Sequence, residues 1–235
     1  MKAGVAQIGL CNEIGTNIEK ILSYLKSAAS LGLDFLCFPE CCLTGYRRDF
    51  HNIVWDDIAK AIDKLQESVI REGITIAVGT PFVEAGKIYN AAIVISANHR
   101  LKYFKNNLTD FDKQYFAEGK ELLSFEVAEV KCGLIICRDQ NDPRLAQEYA
   151  RVGAKVIFIP AAHYYPPEEA RRKLDKNRAL PIARAVENGL FVAKANAVGF
   201  QGDYVNFGHS MIVDPEGSVM CEADDEEEKL LYHDI

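Results

Sequence analysis

The chain has 235 residues, 49% of them apolar and 26% charged, with a formal net charge of −7. This balance excludes a disordered or low-complexity chain, and an acidic surface without a basic stripe excludes nucleic acid as a partner. No apolar run reaches the roughly 18 residues of a membrane span, so no membrane partner is expected.

The N-terminal MKAGVAQIGLCNEIG has one lysine and a short apolar stretch broken at Gln7. It lacks a small-residue cleavage site and reads as a first strand over 2–9 rather than a signal peptide. Ile18, Ile21, Leu22, Leu25 and Ala29 then recur at helical spacing, with Asn12 or Thr16 as candidate caps. FLCFP (35–39) is a short, fully apolar strand. The period returns to helical over 56–72 and stops at Gly73. ITIAVGTPFVE and IYNAAIVIS read as neighbouring strands joined by a turn at Ala85-Gly86. A loop-rich stretch (105–123) precedes the strand VKCGLIIC, the helix LAQEYARVG and the strand KVIFIPAA. A helix follows over 167–188, with Pro181 expected to kink or split it. LFVAKAN, SMIVD, SVMCE and LLYHDI complete the strands, and Asp214-Pro-Glu-Gly217 reads as a turn. The acidic run Glu222 to Glu228 reads as a solvated turn. Without a linker or a repeat, residues 1–235 are expected to form one α/β domain.

The seven cysteines are odd in number and sit mostly in apolar runs, which points to reduced thiols in a cytoplasmic setting. There is no C-x-x-C, and Cys37-x3-Cys41 lies in a strand-like run, so no metal is expected. Three apolar segments carry a reactive group at the C-terminal end, where open α/β sheets place their sites. They are Glu40 in CFPECC, Lys105 after Tyr103-Phe104, and Cys137 ending GLIIC. Each alone has a plainer reading: a buried small hydrophobe for the cysteine, a loop carboxylate for the glutamate, a surface charge for the lysine.

The wording around them resembles the carbon–nitrogen hydrolase (nitrilase) superfamily. FPECCLTGY (38–46) is similar to its first signature. YFKNNL with FDKQYFAEG is similar to its lysine segment, and CGLIICRDQNDPRLAQEYARVGAKVIFIPAA (132–162) to its nucleophile segment. ARAVENGLFVAKANAVG (183–199) and FGHSMIVDPEG (207–217) match later blocks in the same order. The resemblance implies a four-layer α-β-β-α sandwich of two mixed sheets with outer helices. It also implies a homodimer or larger homo-oligomer, no cofactor, and a small-molecule amide or carbamoyl substrate. By the resemblance Cys137 is the nucleophile, Glu40 the proton carrier, and Lys105 the oxyanion stabiliser beside the backbone N–H of Arg138.

The family's second glutamate falls on Asp112, one methylene shorter, and the residue after the cysteine is Arg138 instead of an aromatic or small polar one. Arg138 has two readings: a pair for a substrate carboxylate, or a structural pair with Asp139 or Asp142. Tyr46 and His163 are candidates for oxyanion or substrate binding, His163 shares with Arg144 the plainer reading of a structural partner, and Arg184–Glu187 has the spacing of a helical ion pair. A Cys–His pair using His163 or His209 is the rival mechanism. A nitrile hydrolase, or a catalytically weak binding or regulatory protein motivated by Asp112 and Arg138, is the rival function.

Overall fold

The computed structural model of the chain describes residues 1–46 and 48–235. In chain order the first half holds β1 (Lys2–Gln7), α1 (Ile14–Ser30), β2 (Phe35–Cys37), α2 (Trp55–Glu72), β3 (Thr75–Glu84), β4 (Lys87–Ile95) and β5 (Arg100–Phe104). Next come β6 (Ser124–Val127), β7 (Val130–Leu134), α3 (Pro143–Arg151), β8 (Val156–Ala161), α4 (Pro167–Asn188) and β9 (Phe191–Asn196). Five short strands finish the chain: β10 (Val198–Gln201), β11 (Tyr204–Phe207), β12 (Met211–Val213), β13 (Val219–Glu222) and β14 (Lys229–Asp234).

Two six-stranded mixed sheets result, ordered β14-β1-β2-β3-β4-β5 and β13-β12-β9-β8-β7-β6, with β10 and β11 as a separate hairpin. Each sheet has three parallel strands at its centre and antiparallel strands at its edges. The period of two decides which layer each side chain joins. Ala3, Val5, Phe35 and Cys37 face the second sheet, where the Phe35 ring lies 4.2 Å from that of Phe158. Ala6, Ile8, Leu36 and Phe38 instead pack with Ile18, Ile21 and Leu25 of α1 and Ile62, Leu65 and Val69 of α2. The four-layer sandwich expected above is the one observed.

Several local expectations need correction. α1 starts at Ile14 with Glu13 as its N-cap and no side-chain cap; Thr16 lies inside the helix, and Asn12 Oδ1 accepts from Gln201 Nε2 instead. The nucleophile strand stops at Leu134, short of Cys137. Strands β5, β6, β10 and β11 carry no signal long enough to read from periodicity. α4 runs through Pro181 as one helix. Pro181 has no N–H for the carbonyl of Asn177 four residues back, and the buried Lys194 ammonium donates to that oxygen at 3.0 Å. All seven cysteines are free thiols. Among the described residues no helix is long and apolar enough to cross a membrane.

Candidate active site

Glu40 is placed by a tight turn after β2. Cys41 has φ +50°, Cys42 N bonds to Pro39 O at 3.3 Å, and Leu43 N bonds to Gly79 O at 3.2 Å. This turn lies against β3 so closely that only glycine fits at position 79. A β-carbon there would sit 2.5 Å from Pro39 O and 2.7 Å from Glu40 Cα, and would also clash with Cys41 N. Lys105 follows β5, with its backbone N–H on Asn90 O at 2.9 Å.

Cys137 begins a 3-10 turn, Cys137–Asn141, that breaks away from β7. Asp139 fastens this turn: its Oδ2 accepts from Ile136 N at 2.9 Å and from the Tyr103 hydroxyl at 2.8 Å. Its Oδ1 accepts from Asn107 N at 2.6 Å. Cys137 is held at φ +47°, a left-handed conformation costly for a residue with a β-carbon and frequent at functional turns.

Folding brings the side chains of 40, 105, 112 and 137 together. Lys105 Nζ donates to Glu40 Oε1 at 2.6 Å and to Asp112 Oδ2 at 2.7 Å, and all three groups are fully buried. Glu40 Oε1 also accepts from Asn90 Nδ2 at 2.7 Å, and Oε2 from Ala162 N at 3.1 Å. The Cys137 thiol lies beside the Glu40 carboxylate, close enough for each to shift the other's pKa. Asp112, despite its shorter side chain, reaches Lys105 directly. It also accepts from the Tyr46 hydroxyl at 3.0 Å and from Thr109 N at 2.9 Å.

The electrostatics follow from burial and from two carboxylates sharing one ammonium. Burial and the nearby Asp112 charge push the Glu40 carboxyl above its ordinary 4.5, against the pull of Lys105. Burial disfavours the charge on Lys105, but Glu40 and Asp112 outweigh it and hold its pKa well above normal. Asp112 is likewise opposed by burial, yet the Lys105 charge and hydrogen bonds keep it below 3.8. Burial and the Glu40 charge hold Cys137 well above 9.0, so the sulfur carries its proton at rest. A thiol beside a carboxylate of raised pKa can pass that proton to it as the sulfur attacks. The Lys105 ammonium has three hydrogens, of which the two carboxylates engage two.

A pocket of about 390 Å³ opens onto Cys137 and is lined by Tyr46, Arg138, Gln140, His163 and Lys176 among others. Tyr46 and His163 both line this pocket, with the Tyr46 hydroxyl given to Asp112. The structural reading of Arg138 is not upheld. Its side chain is exposed, Asp139 is occupied by Ile136, Tyr103 and Asn107, and Asp142 is taken bidentately by Arg144 at 2.9 and 2.7 Å. Arg144 is the structural partner expected, and Arg184 pairs with Glu187 while its Nε donates to Gln140 O at 2.9 Å. His209 is turned to Glu222, 2.8 Å away, leaving His163 as the imidazole that shares the pocket with Cys137.

Three contributors were missed in the sequence: Asn90, Gln140 and the buried Lys194. Asn90 and Lys194 each interrupt an apolar run, in IYNAAIVIS and FVAKAN, and such an interruption is the signal that could have found them. Among the described residues no cluster of three or more His, Cys, Asp or Glu is arranged to hold a metal.

A carbon-nitrogen hydrolase family model matches residues 2–235. Among characterised proteins, the omega-amidase NIT2 of Mus musculus is 33% identical over 233 residues, spanning 93% of this chain and 82% of the relative. A 2-oxoglutaramate amidase of Bacillus subtilis is 31% identical over 217 residues, covering 90% and 81%. The crystal structure of an amidase from Nesterenkonia sp. superposes with a TM-score of 0.90 at 24% identity, covering all of this chain and 90% of the other.

Proposed function

The chain belongs to the carbon–nitrogen hydrolase family, and on that premise we propose that it is a thiol-dependent amidase acting on small linear amides. The observation that carries the reading is the buried Glu40–Lys105–Asp112 network set beside the Cys137 thiol at the floor of a pocket. The omega-amidase and 2-oxoglutaramate amidase relatives support an amide over a carbamoyl or nitrile substrate.

The site's geometry and the family resemblance support the following cycle. The Cys137 proton passes to Glu40 as the sulfur attacks the amide carbon. The oxyanion that forms accepts from the third Lys105 hydrogen and the backbone N–H of Arg138. Such donors are worth on the order of 10²–10³ in rate each. The C–N bond then breaks, Glu40 gives its proton to the departing nitrogen, and ammonia leaves a thioester on Cys137. Water attacks the thioester, its proton going to Glu40, and collapse of that intermediate releases the acid and returns the proton to sulfur. Asp112 acts through Lys105, holding it in place with Tyr46 and Thr109.

Arg138 and Lys176, at the pocket's exposed wall, suit a carboxylate on the far end of the substrate. The reading includes two earlier expectations, a homodimer from the resemblance and a cytoplasmic location from the cysteine pattern. Sedimentation checks the first.

Ammonia release from a panel of amides, with intact-mass detection of an acyl adduct, tests the reading. Wild type should release ammonia and show the adduct, and Cys137→Ala should do neither. Equal traces from both proteins across the panel overturn the amidase and favour the binding-protein alternative. Turnover of nitriles alone favours the nitrile hydrolase.

A further inference from the structure

Of the buried polar atoms in the pocket lining without a hydrogen-bond partner among the described residues, two belong to neighbouring side chains, Gln140 Oε1 and His163 Nδ1. Buried polar groups are satisfied in the great majority of cases, so a pair of orphans lining one pocket calls for an explanation. Gln140 is 1% exposed and His163 7%, and both line the pocket that holds Cys137. They touch each other through Gln140 Nε2 and His163 Nε2, 3.2 Å apart.

The pair is rigidly held. Gln140 belongs to the 3-10 turn that starts at Cys137, and its backbone carbonyl is fixed by Arg184 Nε at 2.9 Å. His163 follows β8, with its backbone N–H on Asn196 Oδ1 at 3.3 Å and its ring stacked on Tyr165 at an interplanar angle of 14°. Burial, with Lys194, Lys105 and Lys176 nearby, holds the imidazole well below 6.5, so it is neutral.

A neutral imidazole has one N–H and one bare nitrogen, and this limits what the pair can offer. If the Gln140 amide nitrogen donates to Nε2, then Nδ1 carries the ring proton and the orphans are a donor on His163 and an acceptor on Gln140. If the amide is turned over, Nε2 donates to the amide oxygen, leaving an acceptor on His163 and a donor on Gln140. Either arrangement leaves one donor and one acceptor unpaired in the pocket wall.

We propose that Gln140 and His163 form a specificity subsite for a neutral substrate group that both donates and accepts a hydrogen bond, a hydroxyl or a carboxamide close to the scissile amide. The subsite rests on the amidase reading above and adds to it the chemistry of the group beside the cleaved bond. A plain aliphatic chain leaves both protein atoms unpaired. A keto or carboxylate oxygen satisfies only one of them. Arg138 and Lys176, in the same pocket, are left for an anionic end group.

The test compares propionamide with 2-hydroxypropionamide and 3-hydroxypropionamide, each read as kcat/KM for ammonia release. Wild type should favour at least one hydroxylated amide by about 10–100-fold, the range set by leaving buried partners unmade. In Gln140→Leu and His163→Phe this ratio should fall to within about threefold of unity. In His163→Gln, which keeps a donor and an acceptor, part of the preference should return. Binding of the same amides to Cys137→Ala by calorimetry gives the same ratio without turnover, should a pocket variant fold poorly. Equal wild-type rates for all three amides, or a ratio that survives both apolar variants, overturns the subsite and leaves the amidase standing. Absence of hydrolysis of any amide overturns the amidase reading itself.

Discussion

Replacing Asp112 by Asn keeps the size of the side chain and removes its charge from a site where every partner is buried. Lys105 then loses one of its two carboxylates, now 2.7 Å away, while Glu40 still balances it. Breaking a buried pair costs about 3–5 kcal/mol when a charge is left alone; with Glu40 in place the lower end, about 3 kcal/mol, is expected. Asp112 is held below 3.8, so its contribution is complete above that pH and is lost as pH falls through its folded-state pKa. The stability gap between wild type and variant should therefore close toward low pH. Catalysis should fall about 10–100-fold, because Lys105 is no longer anchored on its far side and small displacements of a catalytic group are costly. The acid limb of the kcat/KM profile should also move to lower pH, since the Asp112 charge is one of the causes raising Glu40. Denaturant unfolding and ammonia release across pH 3–8 measure all three. A variant as stable as wild type at neutral pH, with its acid limb fixed or moved upward, refutes this account of the shared ammonium.

Glu40→Gln removes the proton carrier; kcat should drop about 10²–10⁴-fold and the acid limb should disappear from what activity is left. Gly79→Ala forces a β-carbon to 2.5 Å from Pro39 O, against backbone that cannot yield. A loss of about 1–3 kcal/mol in unfolding free energy, with a fall in kcat larger than any change in folded fraction, is expected. Arg138→Met should raise KM for a carboxylate-bearing amide such as succinamate about 10-fold relative to its effect on butyramide; an equal change for both removes Arg138 from substrate recognition. Burial depresses Lys194 from 10.5 to about 8, so the unfolded chain binds the extra proton between these values and wild-type stability rises across that interval. Lys194→Met lacks this rise, which amounts to about 3 kcal/mol at roughly 1.36 kcal/mol per unit. Unfolding curves at pH 7 and 10.5 separate the two.

Local pattern was enough to read the strand and helix alternation, the four helices and the three segments carrying Glu40, Lys105 and Cys137. Each of those signals is written within a few residues: a 3.6 or 2.0 period, a glycine stop, a reactive group after an apolar run. The short strands β6, β10 and β11 have four residues each and give no period to detect. Pro181 looked like a breaker because the residue that takes up its freed carbonyl, Lys194, is 17 positions from Asn177. Arg138 looked like a structural partner because its acidic neighbours are adjacent in sequence, yet the fold gives those carboxylates to Tyr103, Asn107 and Arg144. The shorter Asp112 looked like a weakness until the turn at Thr109 brought it onto Lys105. Local pattern thus supplied most of the elements and a set of candidate reactive groups, among which the family resemblance chose. Only the tertiary structure decided who pairs with whom, because a carboxylate and the amide N–H that binds it can lie 122 residues apart, as Glu40 and Ala162 do. No local pattern encodes a contact at that separation; it is set by how two sheets register across a shared core.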